Sequence, residues 1–114
     1  MNGFYAAYLT GKAGSGVALL AIKDSLIVGV DVGGMKYDGR IDLKPDDAGF
    51  SCHIEYVVPP GMPLITGPGP VAIATPVSIT FDLPQNFAEG PVVGIQTPFG
   101  PLNVKFAKIR DLDL

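Results

Sequence analysis

Through the middle of the chain, apolar and polar side chains alternate with a period of two. Met35, Tyr37, Ile41 and Leu43 share one face, and Lys36, Asp38, Arg40 and Asp42 the other. Phe50, Cys52, Ile54 and Tyr56 alternate with Ser51, His53 and Glu55. The same holds for Val77, Ile79, Phe81 and Leu83 against Ser78, Thr80 and Asp82, and for Leu102, Val104 and Phe106 against Asn103 and Lys105. Successive side chains of a strand point to opposite faces, so this is the pattern of half-buried strands. It predicts eight strands, over 4–10, 16–23, 26–32, 35–43, 50–58, 77–83, 92–97 and 102–109. Loops of hairpin length separate most of them. Gly33-Gly34 is the sharpest two-residue hairpin signal, because glycine tolerates positive φ at both positions. Only a short helical turn at 85–89 competes with strands. Regularly spaced strands of this kind favour an all-β, eight-stranded up-and-down barrel, a single domain over residues 1–114.

Two departures from alternation carry information. Residues 17–22 and 26–32 are apolar on both faces, so their outer face needs a cover, either the long loop or a second copy; a homodimer is the favoured expectation. Residues 59–76, PPGMPLITGPGPVAIATP, contain six prolines. Proline cannot donate to a strand ladder, so a regular central strand is excluded there. The stretch reads as a semi-rigid excursion that either lids the barrel mouth or serves as a solvated connector, with residues 71–74 a candidate edge strand.

Composition sharpens this picture. Fifteen glycines, eleven prolines and no tryptophan suit a turn-rich all-β chain of 114 residues. A net charge of −3, with no two basic residues adjacent, argues against direct nucleic-acid binding, which needs clustered cations. The lone Cys52 rules out an intramolecular disulfide. With no signal-peptide pattern and no apolar run long enough to span a bilayer, a soluble, cytoplasmic location is expected, with no membrane association.

Candidate chemistry is sparse. Gly11-Lys12-Ala13-Gly14-Ser15-Gly16 invites a phosphate-loop reading, but a strand follows and Lys12 stands at the wrong end. His53 is the single histidine, and it points away from Cys52 on the same strand, so a shared zinc site is not expected. Ser51, His53 and Glu55 share a face, yet hydrolase triads are assembled from separated segments with an oxyanion hole; a cross-strand polar pair is the plainer reading. Cys52 faces inward as a small apolar residue. Asp38, Asp42, Asp46 and Asp47 lack the spacing of a calcium loop and read as a solvated face and turn, or as an acidic tip for a partner. No catalytic residue, metal site or cofactor is expected.

An eight-stranded barrel is either filled by side chains or holds one small ligand. The expected cavity-lining residues are Met35, Tyr37, Ile41, Phe50 and Ile54 from the central strands, and Tyr56, Ile79, Phe81, Val104 and Phe106 from those that follow. The size of several argues for a filled core, while Gly39 and Gly94, in or near inward positions, either leave room or allow strand bends, so both alternatives stand. A cavity, if present, suits an apolar or lipid-like molecule, because no inward charge is expected to orient an ion.

The order Asn2-Gly3-Phe4-Tyr5, then Gly14-Ser15-Gly16-Val17-Ala18, Gly29-Val30-Asp31 and Tyr37-Asp38-Gly39 resembles the GrlR-like family, small negative regulators of bacterial type III secretion. The likeness is best over roughly the first 50 residues. It implies a lipocalin-like barrel that dimerises and restrains a helix-turn-helix transcriptional activator, a regulator of transcription acting by protein contact. In the best-studied regulator of that family, an acidic run in the turn after the Tyr-x-Gly strand contacts the partner. Here the corresponding segment is Leu43-Lys44-Pro45-Asp46-Asp47, where Asp46 and Asp47 keep the acidic character and Lys44 and Pro45 depart from it.

Overall fold

The computed structural model describes residues 1–113. Eight antiparallel strands follow one another: β1 (Gly3–Gly11), β2 (Gly14–Lys23), β3 (Leu26–Asp31), β4 (Lys36–Leu43), β5 (Phe50–Val58), β6 (Thr75–Leu83), β7 (Glu89–Thr97) and β8 (Gly100–Asp111). The sheet runs β6-β5-β4-β3-β2-β1-β8-β7, so every hairpin pairs except β6 with β7, and β1 bridges to β8. The two edge strands approach each other along the remaining seam. The result is a nearly closed up-and-down barrel. A 3-10 turn at Pro45–Asp47 is the only helical element among the described residues.

Inward positions carry the core. Tyr5 and Ala7 on β1, Ala18, Leu20 and Ile22 on β2, Ile41 on β4, Cys52 and Ile54 on β5, and Val104 and Phe106 on β8 are all buried. Register slips between Phe4 and Tyr5, and between Glu89 and Val92, bend β1, β7 and β8 where the sheet must curl. At Gly39 the sheet is pressed so closely that a Cβ would collide with the His53 carbonyl, so only glycine fits.

Turn chemistry explains where the strands stop. Asp24 and Ser25 adopt φ of 50° and 70°, the primed-turn geometry that matches strand twist, and the Asp24 N–H donates to Asn2 Oδ1 at 3.0 Å. The Gly33-Gly34 expectation is corrected. The connection spans residues 32–35, only Gly34 has positive φ (94°), and Asp31 Oδ1 accepts the Met35 N–H at 3.0 Å, so a side chain closes a longer loop. Residues 71–74 form no strand; their nearest backbone tie is the Gly61 N–H donated to the Val71 carbonyl at 3.0 Å, inside the excursion itself. Residues 85–88 make consecutive turns rather than a helix, anchored by the Phe87 N–H to the Pro84 carbonyl at 3.0 Å.

The barrel has two unlike ends. At one, the β6–β7 connection sends Phe87 inward, where its ring meets Tyr5 at 5.7 Å, Phe50 at 5.6 Å and Phe106 at 5.5 Å between centroids. Stacked and edge-on pairs of this kind are favourable beyond the area they bury. This floor is solid. At the other end the excursion 59–74 crosses the mouth and docks on the β1–β2 hairpin, where the Ala13 N–H donates to the Ile65 carbonyl at 2.8 Å. A Cβ at Gly11 would fall on that same carbonyl, so the excursion seats directly against glycine backbone.

Candidate functional site

Between floor and excursion lies a cavity of about 670 Å³. Its walls are Ala7 and Leu9 of β1, Ala18 and Leu20 of β2, Ile54 and Tyr56 of β5, Ile79 and Phe81 of β6, Ile95 of β7, and Leu102, Val104 and Phe106 of β8. Met62, Leu64 and Ile65 of the excursion complete it from above. The space exists because small side chains alternate with large ones around the inner wall. Ala7 faces Ala18 directly across the β1–β2 ladder, so this wall carries methyl groups where a filled core would place Leu or Phe. A volume of this size falls in the range of small-molecule sites.

Of the residues read from sequence as cavity-lining, Met35, Tyr37, Ile54, Tyr56, Ile79, Phe81, Val104 and Phe106 line this space. Ile41 and Phe50 do not. Ile41 is 1 % exposed in the packed lower half, and Phe50 packs edge-on against Phe87. Both sit near the floor ends of their strands, where the inserted Phe87 ring takes up the room. Among the residues that alternation overlooked are Ala7, Leu9, Ala18 and Leu20, hidden because β1 and β2 carry apolar residues on both faces, and Ile95 of β7. Phe87 and the excursion's Met62 and Ile65 lie outside any strand and leave no periodic signal.

The expectation of no inward charge is also corrected. Asp31, last residue of β3, shares the inward parity of Ile27 and Gly29 and lines the cavity near its mouth. Its Oδ2 accepts the Tyr37 hydroxyl at 2.8 Å, and its Oδ1 accepts the Met35 N–H. Tyr37 and Tyr56 pack with ring centroids 5.3 Å apart. Burial, and then the hydrogen bond to Asp31, push the Tyr37 hydroxyl far above its ordinary titration range, while burial alone raises Tyr56. Both phenols therefore stay protonated and act as hydrogen-bond groups rather than bases.

Comparison with family models, with curated proteins and with solved structures finds no match.

On the outer wall, His53 Nε2 lies 3.3 Å from Glu55 Oε1 and 3.3 Å from Ser78 Oγ. Both contacts fall on one ring nitrogen. A relay needs the acid on one nitrogen and the hydroxyl on the other, so this is a polar cluster without relay geometry. Cys52 is buried, and desolvation pushes its thiol up to about 12. Among the described residues no group of three His, Cys, Asp or Glu side chains could hold a metal, and no helix is long and apolar enough to cross a membrane.

Asp46 and Asp47 lie on the exposed turn between β4 and β5, at the floor end and away from the cavity. Both adopt left-handed backbone, with φ of 60° and 54°, and neither carboxylate makes an ion pair among the described residues. Nearby Lys44 is taken instead by Asp82, at 2.7 Å. The outer face of β1–β3 presents Phe4, Tyr8, Leu19, Leu26, Val28 and Val30, all exposed. The excursion covers the mouth and leaves this face open.

Proposed function

We propose that this protein is a non-catalytic binding module that takes one small, largely apolar molecule into its barrel. The single observation carrying the reading is the cavity of about 670 Å³, walled by aliphatic and aromatic side chains and crossed by the docked excursion. Apolar clefts of this size with few convergent polar groups are the usual form of a ligand site. Removal of an apolar ligand's surface from water supplies roughly 25 cal/mol per Å². The test is saturable fluorescence enhancement of the neutral probe N-phenyl-1-naphthylamine by the purified chain. A Leu9→Trp variant, which places an indole in the cavity, should lose uptake while keeping its β-sheet circular dichroism. Absence of saturable uptake by the unaltered protein would remove the reading.

A second reading concerns the outside. The unpaired Asp46–Asp47 turn and the open apolar face of β1–β3 favour protein contact, in keeping with the resemblance to GrlR-like regulators. On this reading the chain is a cytoplasmic negative regulator that pairs with a second copy through the apolar face. It holds a transcriptional activator through Asp46 and Asp47, and its effect on type III secretion genes is indirect. Recovery of a helix-turn-helix activator from the native host by the tagged protein, lost on reversing both charges with Asp46→Lys and Asp47→Lys, is the expected result. Capture that survives the reversal would exclude the turn.

A further inference from the structure

The cavity has one formal charge in its lining, and its sign restricts what can enter. Asp31 is that charge; among the described residues, no Lys, Arg or His stands around the space. Lys12 packs beside Gly67 of the excursion and is not part of the wall. The Asp31 carboxylate has no ion-pair partner among the described residues. Its two hydrogen bonds, from Tyr37 and the Met35 N–H, hold it in place without neutralising it. An ionised carboxylate offers about four acceptor sites, so lone pairs remain for an incoming donor. Next to it stand the paired rings of Tyr37 and Tyr56, and both line the cavity. Aromatic faces beside a carboxylate form a favourable seat for an organic cation.

Building on the ligand-binding reading above, we infer that the barrel selects amphiphiles with a cationic amine or ammonium head, seated at Asp31 with the chain running toward the floor, and that it rejects fatty acids. A carboxylate head would be placed against Asp31 with no cation to offset either charge, a repulsion that grows as water is excluded. A neutral alcohol can donate one hydrogen bond to Asp31 and should fall between.

The experiment is displacement of bound N-phenyl-1-naphthylamine by dodecylamine, 1-dodecanol and dodecanoate, near neutral pH, at low salt and below micelle formation. Dodecylamine should displace the probe at a concentration about tenfold or more below that of dodecanoate, with dodecanol intermediate, the scale set by one unscreened charge contact in a partly wet site. Added salt should narrow the gap. Asp31→Asn, which keeps an acceptor for the Met35 N–H, should bring amine and alcohol together. Asp38→Asn, which removes the same charge from the outer face of β4, should leave the order unchanged and so separates a local effect from net charge. Equal or better displacement by dodecanoate in the unaltered protein would overturn the inference while leaving the cavity a ligand site. An equal loss of preference in both variants would also overturn it, as an effect of overall charge. Failure to take up the probe or any of the three amphiphiles would sink the ligand-binding reading and this inference with it.

Discussion

At Cys52 the local pattern and the tertiary packing agree. Its place in the alternation put it inward, and the structure buries it at 2 % exposure between Ile41 of β4 and Phe81 of β6 along the ladder. Burial disfavours the thiolate, and the Asp82 and Asp42 charges add to the same effect, lifting the thiol from 9.0 to about 12. The native thiol should therefore resist Ellman's reagent in mildly alkaline buffer and react fully once denaturant is added. The sign for stability follows from proton binding. Between about pH 9 and pH 12 the unfolded thiol has released its proton and the folded one has not, so stability should fall across that window. Cys52→Ala should flatten that part of the denaturation profile, although other groups titrating there remain. Asp31 is the opposite case. Its inward parity was present in the run Ile27, Gly29, Asp31, but alternating apolar residues at 26, 28 and 30 masked it, because neither face of β3 read as polar.

At the scale of elements, the strands of the middle and end of the chain were legible because one face meets water and the other does not. β5 begins and ends where alternation placed it, Phe50 to Val58. β6, β7 and β8 run two or three residues longer at one or both ends, since ladder pairing includes Pro76 and Pro101, residues that read as punctuation in isolation, and resumes at Glu89 beyond a bulge at Gly90 and Pro91. The connections were harder. Phe87 lies in a turn, yet it is 4 % exposed and centres the aromatic floor. Phe87→Ala should cost about 3–5 kcal/mol in equilibrium urea unfolding, the range for emptying a buried aromatic site. A loss near zero would mean the floor is held by Tyr5, Phe50 and Phe106 without it. The excursion was legible as a segment that cannot be a central strand, from its prolines; that it crosses the mouth depends on the Ile65 carbonyl meeting the Ala13 N–H and on the bare backbone at Gly11.

For the whole molecule, closure creates an inside and an outside with separate consequences. The inside is hollow at one end and packed at the other, a division set by Phe87 and by the alanines of β1 and β2. The outside keeps an apolar stripe across three adjacent strands, where Leu19 is 53 % and Val28 54 % exposed. Cross-strand pairing sets Leu19 beside Val30 and Ala6, so the stripe is continuous. Continuous exposed apolar surface of this kind marks an association site more often than a solvated wall. Sedimentation velocity should find a dimer, and the double substitution Leu19→Lys, Val28→Lys should yield monomer with the β-sheet spectrum unchanged. A monomer at every concentration of the unaltered chain would leave the stripe to another partner.

The amino-acid order alone determined the class of fold, the strand count and most of the inward set. Those follow from local rules: side chains alternate along a strand, glycine and proline punctuate, and a half-buried sheet shows its period directly. Tertiary structure decided which inward residues surround empty space, which loop residue fills the floor, and that a carboxylate faces the cavity. These depend on distances between segments far apart in sequence, where one ring entering from a turn, or two alanines meeting across a ladder, changes the volume left over.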